Sequence, residues 1–177
     1  MPSGESLSLE LPVPSGDTLR VHLDPECVRE LRAAPDNGTP RRCWSLADDL
    51  DWSVVGELSM IAAGFEDGAV LAVAALRPRE AGGHDADVLE GVVVSPEGDA
   101  ARLEEVLMSS EYGPDGKARR LGLELYERVA GPPIRVAADR LASTEPTAGD
   151  ERTEASTWNL RMAGSPGVGT YELIRPD

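Results

Sequence analysis

Leu7-Ser8-Leu9-Glu10-Leu11-Pro12-Val13 and Thr18-Leu19-Arg20-Val21-His22-Leu23, with Pro14-Ser15-Gly16-Asp17 between them, decide the fold class. In both runs an apolar residue recurs at every second position, which is the period of a strand with one buried face. The four intervening residues carry turn chemistry, so the pair reads as a β-hairpin. His22 falls on the polar side of the alternation, where a solvated imidazole is expected rather than a ligand.

Outward from this hairpin, Asp24-Pro25-Glu26 supplies an N-cap, a proline at the first helical position and an acid in the first turn. A short helix running to about Ala34 is predicted, ended by Pro35-Asp36-Asn37-Gly38, although its thin apolar stripe (Val28 and Leu31) suits an irregular loop equally well. From Arg41 the chain reads as strands and tight turns. Residues 56–65 and 69–76 flank Glu66-Asp67-Gly68, and 88–94 lies between Gly82-Gly83 and Pro96-Glu97-Gly98-Asp99. Residues 103–108 fit strand and helix spacing alike. After Gly113-Pro114-Asp115-Gly116, Leu121, Leu123 and Leu125 alternate with polar neighbours, and 134–142 follows. The polar stretch 143–153 predicts a mobile loop, and strands close the chain at about 154–162 and 169–174.

Nine or ten short strands at even spacing, in a single domain spanning 1–177, predict an all-β fold. The expected architecture is an antiparallel up-and-down barrel of about 8–10 strands with at most one or two short helices. Closure leaves no strand edge exposed, and such a barrel is wide enough to hold one small ligand.

Thirty-two acidic against 17 basic residues give a net charge of −15, so a phosphate backbone finds no basic footprint and an anionic bilayer no attraction. Nucleic acid and membrane are therefore not expected partners. The N-terminus lacks the basic flank and apolar stretch of a signal peptide, which predicts a cytoplasmic protein. Cys27 and Cys43 are expected to be reduced structural thiols, and no His/Cys spacing predicts a metal or other cofactor. Gly164-Ser165-Pro166-Gly167-Val168-Gly169 lacks the Lys-Ser/Thr ending of a phosphate loop and reads as a turn between strands.

Three groups of residues carry possible chemistry. Asp48, with Asp49 and Asp51, lies beside Trp44 and Trp52, where desolvation would suit a carboxylate to proton transfer; a solvated loop is the alternative. Glu172 follows Tyr171 in the last strand, where an inward carboxylate would need a partner such as Arg161. Trp158, Leu160 and Met162 share one strand face, and Met60 and Met108 lie in apolar strands. Thioethers and aromatic rings of this kind line apolar pockets as well as cores.

Arg42-Cys43-Trp44-Ser45-Leu46-Ala47-Asp48 resembles the Arg-x-Trp-Gly-x-Arg-Asp motif of the lipocalin-like proteins related to carotenoid 1,2-hydratase (hydroxyneurosporene synthase) and the AttH-like proteins. Trp158-Asn159-Leu160-Arg161 and Gly167-Val168-Gly169-Thr170-Tyr171-Glu172 resemble the ending of their barrel domain. Ser45 stands where the motif has Gly, and Ala47 where it has its second Arg. The resemblance implies an antiparallel barrel holding an apolar, polyene- or polyketide-like molecule, as in hydratases and cyclases of natural-product pathways.

The leading expectation is a cofactor-free cyclase acting on a linear substrate held in a reactive conformation. Trp44, Met60, Met108, Trp158, Leu160, Met162 and Tyr171 would shape its cavity. Tyr126 or Tyr171 would donate to a substrate carbonyl, and Asp48 or Glu172 would move a proton. A non-catalytic carrier of an apolar metabolite is the alternative, an acidic interaction module a third, and a homodimer is compatible with each.

Overall fold

The computed structural model describes residues 7–31, 40–144 and 151–177. β1 (Leu7–Pro12) and β2 (Thr18–Leu23) form the hairpin expected from their alternation, in the register Leu9↔Val21. β3 (Trp44–Leu46) pairs with β2 to complete a three-stranded sheet. Between them α1 (Pro25–Glu30) starts at Asp24, whose carboxylate accepts from the backbone N–H groups of Glu26 and Cys27. The expected continuation of this helix to Ala34 lies outside the described residues.

The remaining strands are β4 (Val55–Phe65), β5 (Val70–Pro78), β6 (Val88–Val94), β7 (Ala100–Arg102), β8 (Glu105–Tyr112), β9 (Ala118–Tyr126), β10 (Ile134–Ser143), β11 (Glu151–Met162) and β12 (Ser165–Pro176). They form one antiparallel sheet in the order β7-β6-β5-β4-β12-β11-β10-β9-β8. Read as a ring, that order is sequential, so the all-β up-and-down plan holds. The sheet is a curled half-barrel whose two ends belong to one continuous piece of chain. β7 pairs with β6, β8 pairs with β9, and the changeover takes place at Leu103 and Glu104. Leu103 N–H donates to the Gly91 carbonyl at 2.9 Å, and Glu104 N–H to the Tyr126 carbonyl at 2.8 Å. A Cβ at Gly91 would stand 2.7 Å from the Leu103 side chain, which would have to shift to admit one, so glycine gives Leu103 room at the crossing. The dual spacing of 103–108 is resolved as this strand.

Two expectations about local structure change. Within 164–169, only Gly164 belongs to the turn, together with Ala163, both at positive φ; Ser165 to Gly169 are paired in β12. The predicted loop 143–153 is strand at Ser143 and from Glu151 onward, and 145–150 lies outside the described residues.

Two apolar clusters sit on opposite faces of the large sheet. Ile61, Phe65, Leu71 and Val73 face into the curl with Leu123, Val136, Trp158 and Met162. Leu58, Met60, Val70 and Leu76, from the same strands, face outward under the small sheet and α1. β4 and β5 are thus covered on both sides, which is why they read as continuous apolar runs. β8, β9 and β10 bury one face and alternate.

Besides the packing of the outer cluster, the run Arg42-Cys43-Trp44 helps fasten the small sheet to the large one. Cys43 forms a disulfide with Cys27, correcting the expectation of free thiols. Their Cα atoms lie 5.4 Å apart because α1 folds back beside the approach to β3. Trp44 is buried in the outer cluster, and the Arg42 guanidinium stacks 4.5 Å over its ring while Arg42 Nε reaches Glu172 Oε2 at 2.7 Å. The Glu172 side chain is 3% exposed. Burial pushes its carboxyl above the ordinary value, against the opposing pull of Arg42 and the Trp44 indole.

Two predictions follow from this attachment. The disulfide closes a 16-residue separation, and its reduction or the Cys27→Ser/Cys43→Ser pair should cost about 3 kcal/mol in urea unfolding; unchanged stability would show that the bond constrains nothing. Arg42→Ala leaves a buried carboxylate without its cation, an expected loss of about 2 kcal/mol at pH 7 once the half-exposed position of Arg42 is allowed for. Because the Glu172 pKa is raised on folding, its favourable contribution is complete below the ordinary glutamate value and lost as pH rises through the folded pKa. The Arg42→Ala loss should therefore shrink on acidification toward pH 5, whereas a pH-independent loss would remove Glu172 from the account.

Candidate functional site

The interior of the curl changes character along its length. Toward the Leu103-Glu104 crossing, Phe65, Leu103, Val106, Leu125, Val136 and Met162 fill it with apolar side chains. At the other end the inward positions of the same strands turn polar: Glu57 and Ser59 on β4, Arg77 on β5, Ser110 and Tyr112 on β8, Arg140 on β10, Glu154 and Ser156 on β11, Tyr171 and Arg175 on β12. With Met108, Ala155 and Leu173 they surround a partly enclosed cavity of ≈ 260 Å³.

Ion pairs hold this mouth in shape. Arg77 makes two bonds of 2.8 Å to Asp87, one from Nε and one from Nη2. Its Nη1 lies 3.5 Å from Glu57, which also accepts from Arg175 Nε at 2.8 Å. Asp87, whose side chain is 7% exposed, holds the Arg77 guanidinium above its ordinary pKa. Arg140 Nη2 bonds Asp115 at 2.6 Å, and Arg152 approaches Glu154 at 3.7 Å. His84, in a 3₁₀ turn (His84–Ala86) before β6, meets the Tyr112 hydroxyl at 3.3 Å, across the gap between β6 and β8. Arg140 Nη1 is buried with no hydrogen-bond partner among the described residues.

Tyr171 is half-buried in the cavity wall. Burial, and then the Glu57 charge, push its hydroxyl up to about 12, against a hydrogen bond with Ser59. It stays protonated at neutral pH and can serve as a donor. Its ring stands edge-on to Trp158 at 6.1 Å, and Trp158 Nε1 donates to Ser156 Oγ at 2.8 Å, so one polar contact links the aromatic floor to the wall.

Of the residues singled out in the sequence, Tyr171 and Met108 line this cavity and Trp158 packs against Tyr171. Leu160 and Met162 point into the same interior but belong to its filled part. Trp44 and Met60 lie in the outer cluster. Glu172 faces that cluster too, since it neighbours inward Tyr171 on the strand, and its partner is Arg42; Arg161 instead donates to the Gly164 carbonyl. Asp48 is exposed beyond β3. Tyr126 is at the far end of β9 beside Glu124, and desolvation followed by that carboxylate raises its pKa. Sequence reading missed Arg77, Asp87, Tyr112 and Arg140. The available signal was an arginine ending an otherwise apolar run, as Arg77 ends 69–76.

A larger depression of ≈ 760 Å³ lies against β8, β9 and β10, with Leu107, Gly122, Glu124, Arg135 and Ala137 of their outer faces in its lining. It is broad and open. The smaller cavity combines enclosure with converging polar groups, the usual form of a ligand site. Among the described residues no three His, Cys, Asp or Glu gather as a metal site, and no helix is long and apolar enough to cross a membrane.

No protein-family model and no curated protein matches the chain. Among solved structures it is similar to a candidate AttH protein from Nitrosomonas europaea, with a TM-score of 0.51 over 73% of this chain at 12% identity. The chain spans 42% of the length of that structure. The likeness supports the AttH-like side of the resemblance and does not single out carotenoid 1,2-hydratase: what the two chains share is the fold, an AttH-like, lipocalin-like curled antiparallel sheet.

Proposed function

We propose that this protein binds one compact small molecule at the polar mouth of its half-barrel. The observation that carries the reading is the ≈ 260 Å³ cavity, in which paired charges, the Tyr171 hydroxyl and the Met108 thioether converge. Such a volume falls just below the ~300–1,000 Å³ of pockets for drug-sized ligands, so a small amphipathic guest suits it better than an extended polyene. The cyclase reading draws less support: of Asp48, Tyr126, Tyr171 and Glu172, only Tyr171 faces the cavity. The disulfide favours an oxidising compartment over the cytoplasm, because reducing surroundings open such bonds.

Ser110 lines the cavity without being fully buried, so Ser110→Trp should fill the site and leave the fold intact. Native mass spectrometry of protein taken from its own host should find a small molecule on the wild type and none on the variant. A ligand at a hundred times its Kd should stabilise the wild type by about 2.7 kcal/mol and the variant not at all. Equal retention and equal stabilisation in both proteins would place binding elsewhere. A wild type that carries nothing and responds to no member of a metabolite library would refute the reading.

A further inference from the structure

We propose that the molecule held at this mouth carries a carboxylate and that Nη1 of the Arg140 guanidinium receives it; the inference rests on the binding reading above. The alternation Val136, Ala138, Arg140 turns the arginine inward, opposite Trp158 in the β10–β11 register. Its side chain is 18% exposed, and Asp115 engages only Nη2. Nη1 is left buried without an acceptor among the described residues. A buried donor on a charged group that lacks a partner is costly, and folded proteins seldom leave one so. An oxyanion entering the cavity removes that cost.

The charge balance of the cavity selects the same ligand. Among the described residues, five of its lining side chains are cationic (Arg77, Lys117, Arg140, Arg152 and Arg175) and four are carboxylates (Glu57, Asp87, Asp115 and Glu154). Every one of those carboxylates already contacts an arginine. Each carboxylate is thus already charge-compensated, whereas an incoming anion finds Arg140 Nη1 and, among the described residues, one positive charge in excess. That excess stands out in a chain of net charge −15, where a local positive cleft attracts what the rest of the surface repels. A single carboxylate matches both the one excess charge and the planar edge of a guanidinium; a phosphate dianion exceeds it. Met108 and Leu173 are placed to take a short apolar tail.

The test compares three probes that share a tail, hexanoate, hexanamide and hexylamine, by calorimetric titration of the full chain at one ionic strength. Hexanoate should bind about tenfold more tightly than hexanamide, or better, as charge-assisted hydrogen bonds outrank neutral ones, and hexylamine should bind weakest. Arg140→Gln should bring hexanoate down to the level of hexanamide without changing the amide, with thermal unfolding confirming a folded variant. Should that variant fail to fold, the wild-type comparison decides alone. Equal binding of hexanoate and hexanamide, or a preference for hexylamine, overturns the carboxylate and leaves small-molecule binding standing. Binding by none of the three also overturns it, while the Ser110→Trp comparison judges the binding reading separately.

Discussion

The shared strand at Ala100–Tyr112 is the constraint on which the rest of the structure depends. One piece of chain serves both ends of the sheet, pairing with β6 through β7 and with β9 through β8. At Leu103 and Glu104 both neighbours are bonded within two residues, so the walls of the curl are pinned together there. Buried apolar side chains gather at that end. Beyond the pin β6 and β8 share no ladder, and the contact between His84 and Tyr112 spans the space between them. The position of the crossing thus determines which end is solid and which is open.

An open end lined with arginines and carboxylates is a demanding arrangement, since partly dehydrated charges are stable only in good mutual geometry. The two-point grip of Arg77 on Asp87 and the sharing of Glu57 by Arg77 and Arg175 meet that demand without any ligand. The cavity wall is consequently preorganised, which lowers the ordering cost of binding. Arg140 is the exception. It is satisfied at Nη2 and, among the described residues, has no partner at Nη1, where the proposed ligand would make the discriminating contact.

How much of this was legible in the sequence varied with how each strand is buried. The first hairpin and β9 were readable because one face is covered and the other wet, so alternation reports orientation directly. β4 and β5 were readable as strands but not as faces, because two clusters cover them and both parities are apolar. Met60 and Met108 looked alike in the sequence, yet the first lies under the small sheet and the second in the cavity wall. The ion-paired mouth escaped notice because its members are spread over β4, β5, β8, β10, β11 and β12 and meet only after the sheet curls. The disulfide was equally hidden, since two cysteines at one spacing say nothing about whether their Cα atoms approach.

The Arg42-Cys43-Trp44 run and the neighbouring pair Tyr171-Glu172 show why resemblance in sequence need not locate chemistry. In the first, Cys43 is bonded to Cys27, Trp44 enters the outer cluster and Arg42 covers Glu172, so all three hold the small sheet in place. In the second, adjacent positions on β12 fall on opposite faces. Tyr171 faces the cavity and Glu172 faces the attachment. Attachment and cavity therefore meet across the thickness of one strand without sharing a side chain. Substitutions that loosen the small sheet act first on the outer cluster, and the cavity wall, braced by its own ion pairs and by the crossing at Leu103, can keep its form while they do.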